Sequence, residues 1–468
     1  MAKENTTSIE KLTTEKTEFK REITVFGGVS IIGGIMVGSG IFYLGSYVLM
    51  RTGMSQGMAL LCWIIGGVVS LLGGLCFAEL GASIPKAGGM TVYLNEAYHP
   101  LVGFLNGFSS WIIGGPGSIA AIAIALPTAL LSFFPLSESA VKIIAVALTV
   151  GLTIYNYFGV KIGSILQNIS MVAKLIPIAI IMIAALFSGN VSPDLSLAPK
   201  VAVENSLGGI GAIAFAVVAT LWAYEGWTNL NTVSEEVKNP KKNLPLAIII
   251  AVGGITILYT LFNFSIYRVL TLEQIDTFIN TDGNFYLGTE VAKTVLGNAG
   301  AVVVTLGMAI SMFGALNGCI LAFPRMYYAM AEEGHFFSSF KKLHPKYKIP
   351  HVALIVQCLI SVILILVRSL DQLTNLVIFT GMIYNFLTVL AVPLLRKKYP
   401  SIERPYKVWA YPVTVILAAV IFLGLVINTF FDDPVSAFMG LGVVAAGIAL
   451  YLAFDVINKK RKEKEAQQ

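Results

Sequence analysis

Two short stretches carry the chemistry open to this sequence. The first is Gly33-Gly34-Ile35-Met36-Val37-Gly38-Ser39-Gly40-Ile41-Phe42, inside an apolar run from Ile23 to about Met50 that is long enough to cross a bilayer. Four of these ten residues are glycine, a poor helix former. A membrane helix can be interrupted only where the freed backbone groups line a cavity or are buried in protein. A break at Gly38-Ser39-Gly40 leaves the N–H groups of a half-helix pointing into the membrane interior, where, with the helix dipole, they bind an anion such as a carboxylate. Gly and Ser also make helix–helix contacts, and from this stretch alone both readings stand. The second stretch, Leu221-Trp222-Ala223-Tyr224-Glu225-Gly226-Trp227, places a carboxylate and a glycine in another apolar run. An aromatic packing surface is the plain alternative, and a glutamate in mid-membrane argues against it.

Ionisable residues within spans cost about 2.5–3.5 kcal/mol on insertion scales and are functional candidates by default. Glu79 lies near one end of its run, where capping or loop anchoring is expected. Lys174 lies about 12 residues, or ~18 Å, from either end of its run, too deep for comfortable snorkelling. Glu225 is the third, and a Lys174–Glu225 ion pair is the purely structural alternative for both. No histidine lies deep in a span, which argues against a histidine proton relay. The four cysteines, Cys62, Cys76, Cys319 and Cys358, fall in apolar runs with neither metal-ligand spacing nor an exposed pair, so they read as buried small hydrophobes. No metal, no cofactor and no nucleophile–base pair is indicated, and an enzyme is not expected.

The elements that must position these groups are membrane helices. A chain of 468 residues with 56% hydrophobic and 12% charged residues and a mean hydropathy of +0.78 is a polytopic membrane protein. Residues 1–22 are polar, and the first apolar run is longer than a signal-peptide core, so no cleavable signal is expected. Apolar runs between charged or Pro/Gly-rich breaks predict twelve spans: 23–50, 56–84, 93–131, 139–159, 162–187, 207–234, 244–269, 291–330, 351–368, 372–396, 407–430 and 434–457. The third and eighth are long, which implies tilt or extension into water. With an even number of spans, 25 Lys and Arg fall on the side of the termini and six on the other, with Lys174 unplaced. The positive-inside rule then makes both termini, 1–22 and 458–468, cytoplasmic, and Lys459-Lys460-Arg461-Lys462 marks the last exit. The longest connections on the opposite side are 188–206 and 270–290. The latter holds Glu273, Asp276, Asp282 and Glu290 and has room for short helices. Five spans separate the two breaks, so a second set of five enters from the other side. This is the pattern of an inverted-repeat transporter with its substrate at the interruptions: 23–187 and 207–396 form the repeats and 407–457 the last two spans.

These residues also resemble a known family. Gly38-Ser39-Gly40-Ile41-Phe42 looks like the first-helix signature of amino acid–polyamine–organocation transporters. Further stretches resemble its L-amino-acid transporter branch, which includes bacterial serine/threonine-type exchangers: Ala78-Glu79-Leu80 with Pro85-Lys86-Ala87-Gly88-Gly89, Ala173-Lys174-Leu175, and Ala223-Tyr224-Glu225-Gly226-Trp227 with Glu235-Glu236, Asn239-Pro240 and Asn243-Leu244-Pro245-Leu246-Ala247-Ile248. Gly314-Ala315-Leu316-Asn317-Gly318, Arg325 and Glu333-Gly334-His335 complete the match. The resemblance implies an all-α, LeuT-like fold of five plus five inverted spans with helices one and six broken. It also implies sodium-independent exchange of amino acids. It further implies that the substrate carboxylate meets backbone N–H groups from Gly38 through Ser39 and Gly40 to Ile41. The α-amino group then meets carbonyls around Met36 and from Leu221 to Tyr224. Trp222 stands where the family has a covering aromatic, and Lys174 where a lysine fills the volume that sodium occupies in related symporters. Asn317 joins these as a coupling residue. The sequence departs from the family in three places. Glu225 stands where many members have Gly, Thr228 replaces an Asn, and the connection 132–138 lacks the Cys by which animal relatives hold a glycoprotein subunit. No disulfide-linked heavy subunit and no nucleic acid is expected as a partner, only amino acids and membrane lipid.

The sequence therefore predicts an alternating-access amino acid exchanger of the cell membrane, favouring small neutral substrates because the break is built of small residues, with Glu225 leaving cationic substrates open. A proton-coupled amino acid or polyamine symporter is the alternative within the class. A channel or transport-dead sensor is the alternative outside it, disfavoured because no filter sequence or signalling domain is visible.

Overall fold

The computed structural model describes residues 12–14, 21, 23–38, 40–86, 88–131, 134–158, 174–203, 207–281, 285–332, 336–347 and 349–466. Ser39, Ala87, Ala173, Asp282, Glu333, Gly334 and His335 lie outside the described residues, as does most of the predicted span 162–187.

Among the described residues the chain is helical, with only an isolated bridge between Ile23 and Val237. The first apolar run forms α1, Val25–Met36, and α2, Gly40–Arg51, bent by 55° at the glycine-rich break. α3, Gln56–Ser83, starts at Ser55, whose hydroxyl accepts from the Met58 N–H at 3.2 Å. The third predicted run, 93–131, is divided: α4, Met90–Ala97, ends before His99, and α5, Pro100–Thr128, begins on the proline. Proline suits a first helical turn because that turn has no use for its missing N–H. It also drives the preceding residue to extended backbone, and His99 has φ −157° and ψ 150°. The excess length of this run is therefore a separate short helix. α5 contains a π-helical turn at Ser110–Gly114.

α6, Glu138–Tyr157, and α7, Leu175–Ser188, follow. The second break separates α8, Gly208–Tyr224, from the single turn α9, Asn229–Thr232. α10, Pro240–Tyr267, leads to the short α11, Leu272–Asp276, closed by a capping box of Thr271 and Gln274. The eighth predicted run becomes α12, Leu287–Glu332, interrupted at Gly297 (φ 70°, ψ −173°), which accounts for its length. α13, His351–Val367, α14, Leu370–Lys398, α15, Val413–Asp432, and α16, Pro434–Ala466, complete the chain.

Eight of the described helices are long and apolar enough to span a membrane, and α1 with α2 makes a ninth as a broken span. α7, α8 and α13 are apolar but shorter, so among the described residues length and hydropathy mark up to nine candidate crossings, and the predicted twelve require these three to cross as well. α5 has 72% of its apolar window buried and α16 only 22%, so α5 lies inside the bundle and α16 turns most of its surface to lipid. α3 packs so tightly on its neighbours that a Cβ on Gly67 would collide with the Thr256 side chain of α10.

α14 is pinned at both ends by ion pairs. In its first turn, Asp371 receives Arg51 of α2 at 2.7 and 3.0 Å. Arg51 also donates to Phe215 O of α8 at 2.8 Å and lies over the Phe215 ring at 3.7 Å. In its last turn, Arg396 grips Glu79 of α3 through two bonds of 2.7 and 2.6 Å. An acid in the first turn and a base in the last both suit the helix dipole. Glu79 is 2% exposed and also accepts the Val408 N–H at 2.7 Å, so it anchors the connection between α14 and α15. The connection 189–203 is held on the start of α3 by Ser55, whose hydroxyl donates to Ser196 O at 2.9 Å. Within it, Lys200 and the Ser196 N–H pull the Asp194 carboxyl down to about 2. Removing the carboxylate of Glu79 strands Arg396 and the Val408 N–H beside it. Glu79→Gln is expected to destabilise the fold by about 3 kcal/mol, read as a lower apparent melting temperature of the purified protein in detergent. An unchanged melting temperature would remove the anchoring role.

Candidate functional site

The first break is a backbone feature. α1 stops at Met36, Val37 still donates to Gly33 O at 2.9 Å, and the Gly38 N–H turns back to Met36 O at 2.8 Å. The expectation of an unused N–H at Gly38 is therefore corrected: the turn after a broken helix satisfies its own nearest donor. In the first turn of α2 the N–H groups of Gly40 and Ile41 have no acceptor within that helix, as at any helix start. Both residues are buried.

At the second break α8 runs through Leu221, Trp222, Ala223 and Tyr224, after which Glu225 is extended (φ −67°, ψ 135°). Gly226 has φ 131°, and a Cβ there would stand 2.6 Å from Ile35 Cγ2, so backbone conformation and space both call for glycine. The two breaks touch. A Cβ on Gly40 would lie 2.9 Å from Trp222 Cδ1 and 3.1 Å from the Ala223 Cα. The Trp222 ring lies over the start of α2 and packs with Ile113 of α5 and Leu376 and Val377 of α14.

One hydroxyl joins the breaks. Tyr259 of α10, fully buried, lies 2.7 Å from Met36 O and 3.0 Å from Ala223 O, so its single proton serves carbonyls freed at both interruptions. The Lys174 ammonium, 8% exposed at the start of α7, donates to Gly34 O of α1. Glu225 instead faces a small pocket lined by Ser70, Leu221, Trp227, Met382 and Asn385. The Ser70 Oγ and Asn385 Oδ1 in that pocket have no hydrogen-bond partner among the described residues. Lys174 and Glu225 are thus directed to different partners.

Three other predicted residues have structural engagements. Tyr224 turns to α3, where its hydroxyl donates to Trp63 O at 2.9 Å. Thr228 precedes α9, its carbonyl accepting the Asn231 N–H at 3.1 Å. Asn317 of α12 accepts from Asn156 of α6 at 2.9 Å. Sequence reasoning passed over Tyr259, Ser70 and Asn385. Charges and glycines stand out in an apolar run, whereas these are neutral polar side chains within apolar helices, cheap enough to insert that they do not. The signal available was a tyrosine or asparagine on a face otherwise committed to packing. The π-helical turn beside Trp222, announced by Gly114-Gly115-Pro116-Gly117, was also passed over, although such turns recur at functional sites.

Residues 23–454 match the amino acid permease family. The chain is 33% identical to the serine/threonine exchanger SteT of Bacillus subtilis, covering 96% of this chain and 99% of that protein. It is 32% identical to the human b(0,+)-type amino acid transporter 1, over 97% of this chain and 91% of the relative. It is also 32% identical to the human cystine/glutamate transporter, over 95% and 87%.

A charge-assisted hydrogen bond to a buried carbonyl contributes about 1.5–3 kcal/mol. Lys174→Ala is therefore expected to cut amino acid transport by roughly tenfold or more while the protein still purifies as a monodisperse species. Wild-type transport by a well-expressed variant would show that the bond to Gly34 O is dispensable.

Proposed function

Because this chain belongs to the amino acid permease family, whose match runs from residue 23 to 454, we propose that it is a sodium-independent exchanger of free L-amino acids that works by alternating access. What carries the reading is the meeting of the two breaks, with Gly40 against Trp222 and Ala223 and both interruptions joined by Tyr259. The α-carboxylate binds the N–H groups of Gly40 and Ile41 at the positive end of α2. The α-ammonium binds among the Met36 and Ala223 carbonyls, where the Tyr259 hydroxyl stands in this conformation. Trp222 covers the substrate. Lys174 supplies a fixed cation at α1, so no sodium ion is required. The fold is the five-plus-five inverted repeat in twelve spans, α7, α8 and α13 included, and both termini face the cytoplasm of a cell-membrane protein that works without a disulfide-linked heavy subunit.

The side chain of the substrate extends towards Glu225, Ser70 and Asn385. Two unpartnered acceptors and a carboxylate suit a side chain that carries donors. Small hydroxyl-bearing neutral amino acids fit the small residues of the first break, and cationic ones fit a charged Glu225. The relatives named serine/threonine exchanger and b(0,+)-type transporter support this range. The competing reading is proton-coupled symport, favoured by two ionisable residues, Lys174 and Glu225, within the membrane region. A polyamine fits less well, since it has no carboxylate to use the donors of α2.

Uptake of labelled serine and arginine into sodium-free proteoliposomes separates the two readings. Exchange predicts uptake only into vesicles preloaded with amino acid. Strong uptake into empty vesicles that rises with an inward proton gradient would replace exchange with symport. In the same assay Glu225→Gln is expected to lower the arginine-to-serine uptake ratio by about tenfold, the worth of about 1.4 kcal/mol. An unchanged ratio would exclude a selectivity role for Glu225.

A further inference from the structure

α5 carries one residue too many for the helices beside it. It meets α14 at two places: the Ser109 and Tyr384 hydroxyls lie 2.7 Å apart, and a Cβ on Gly117 would stand 2.6 Å from Val377 Cγ2. Those places are eight residues apart on α5 and seven apart on α14, which passes it in the opposite direction. α12 repeats the mismatch. A Cβ on Gly107 would stand 2.7 Å from Met330 Sδ, and one on Gly115 would stand 3.1 Å from the Phe323 ring, again eight residues against seven. At about 100° per residue, eight residues of α-helix carry the second contact about 80° round from the first, whereas seven return it to within about 20°. The π-helical turn at Ser110–Gly114 takes up the difference, since the Gly115 N–H donates to Ser110 O five residues back. Pro116 fixes its place: it has no N–H to donate, and its ring crowds the carbonyl four residues earlier, that of Ile112.

Two buried tyrosines hold the widened turn. Tyr384 donates to Leu105 O at 2.8 Å, and since a phenol has one proton, the bond between the two hydroxyls is donated by Ser109. Tyr327 of α12 makes a long bond of 3.4 Å to Ser110 O, the acceptor of the π turn, and its hydroxyl fills the space that a Gly115 side chain would need. The turn itself carries Ile113, which forms with Leu376 and Val377 the small cluster on which Trp222 packs. Val377 belongs to both features, meeting Gly117 of α5 and joining that cluster. We propose that the π turn is a register device that brings Ile113 to Trp222, and that Tyr384 is a positioning residue for that tryptophan. The second part rests on the reading of Trp222 as the cover of the substrate; the register does not. Tyr384 touches neither break. It acts by holding the carbonyl and hydroxyl that enter the turn, so that α5 keeps one widened form and Trp222 one packing surface.

The register is tested by two deletions in the full chain. Deleting Ile112 removes the extra residue and leaves an unbroken α-helix with the contacts to α12 and α14 in place, so monodisperse protein is expected. Deleting Ile119, past the last of those contacts, turns residues 120–128 about 100° away from their neighbours, so none is expected. Loss of both proteins, or recovery of both, would overturn the register. The positioning role is tested by uptake of labelled serine into preloaded proteoliposomes. Tyr384→Phe keeps the ring and loses the hydroxyl, and is expected to raise the half-saturation concentration about three- to tenfold with a smaller change in maximal rate. In a Trp222→Ala background the same substitution is expected to add nothing, because the group it acts through is gone. The same factor in both backgrounds, or no effect in either, would overturn the positioning role. An unchanged half-saturation concentration in Trp222→Ala alone would remove the cover reading and the positioning role with it, while the deletions still decide the register.

Discussion

An interrupted helix inside a membrane leaves backbone donors and acceptors with no water to bind, and everything at the centre of this protein answers that constraint. The Gly38 N–H folds back on Met36 O, Tyr259 bridges Met36 O and Ala223 O, and Lys174 takes Gly34 O. Each device satisfies a carbonyl of α1 or α8, the negative side of its break. The leading N–H groups of α2 have no acceptor within their own helix, as at any helix start. The positive end of α2 is the side on which the proposed carboxylate contact rests.

The helices around the breaks are tied by contacts of a different kind. Arg51–Asp371 at one end of α14 and Glu79–Arg396 at the other are charged, partly or wholly shielded, and directional. They connect α14 to α2 and to α3, which carry or flank the first break. Between them lie the packed apolar contacts of Trp222, Leu376 and Val377 and the pocket of Glu225, Ser70 and Asn385. The site thus has a charged fastening on either side of it and a largely apolar seam, with the Glu225 pocket, between them.

Much of this was legible in the residues. Both breaks announced themselves because glycine and an acid are expensive in an apolar helix, and Lys174 and Glu79 stood out for the same reason. What was not legible follows from the same logic. Tyr259, Ser70 and Asn385 cost little to insert and so left no mark on the hydropathy pattern. The division of the third run at Pro100 was hidden because α4 is apolar enough to extend α5 on paper, and the Gly297 interruption of α12 was hidden likewise. The unused N–H expected at Gly38 went elsewhere because a turn can satisfy its own donor two residues back, a choice no periodicity encodes.

The contact between Gly67 and Thr256 has a mechanical meaning. With no side chain between them, the backbones of α3 and α10 stand close enough that neither can slide or roll without collision, and Gly74 meets Ile248 in the same way further along. A pair of helices locked at two points behaves as a single stiff beam. Tyr259 sits on that beam, and its hydroxyl ties the beam to a carbonyl at each of the two breaks. The glycines of α3 thus make α3 and α10 one rigid support, and Tyr259 carries that support to both breaks.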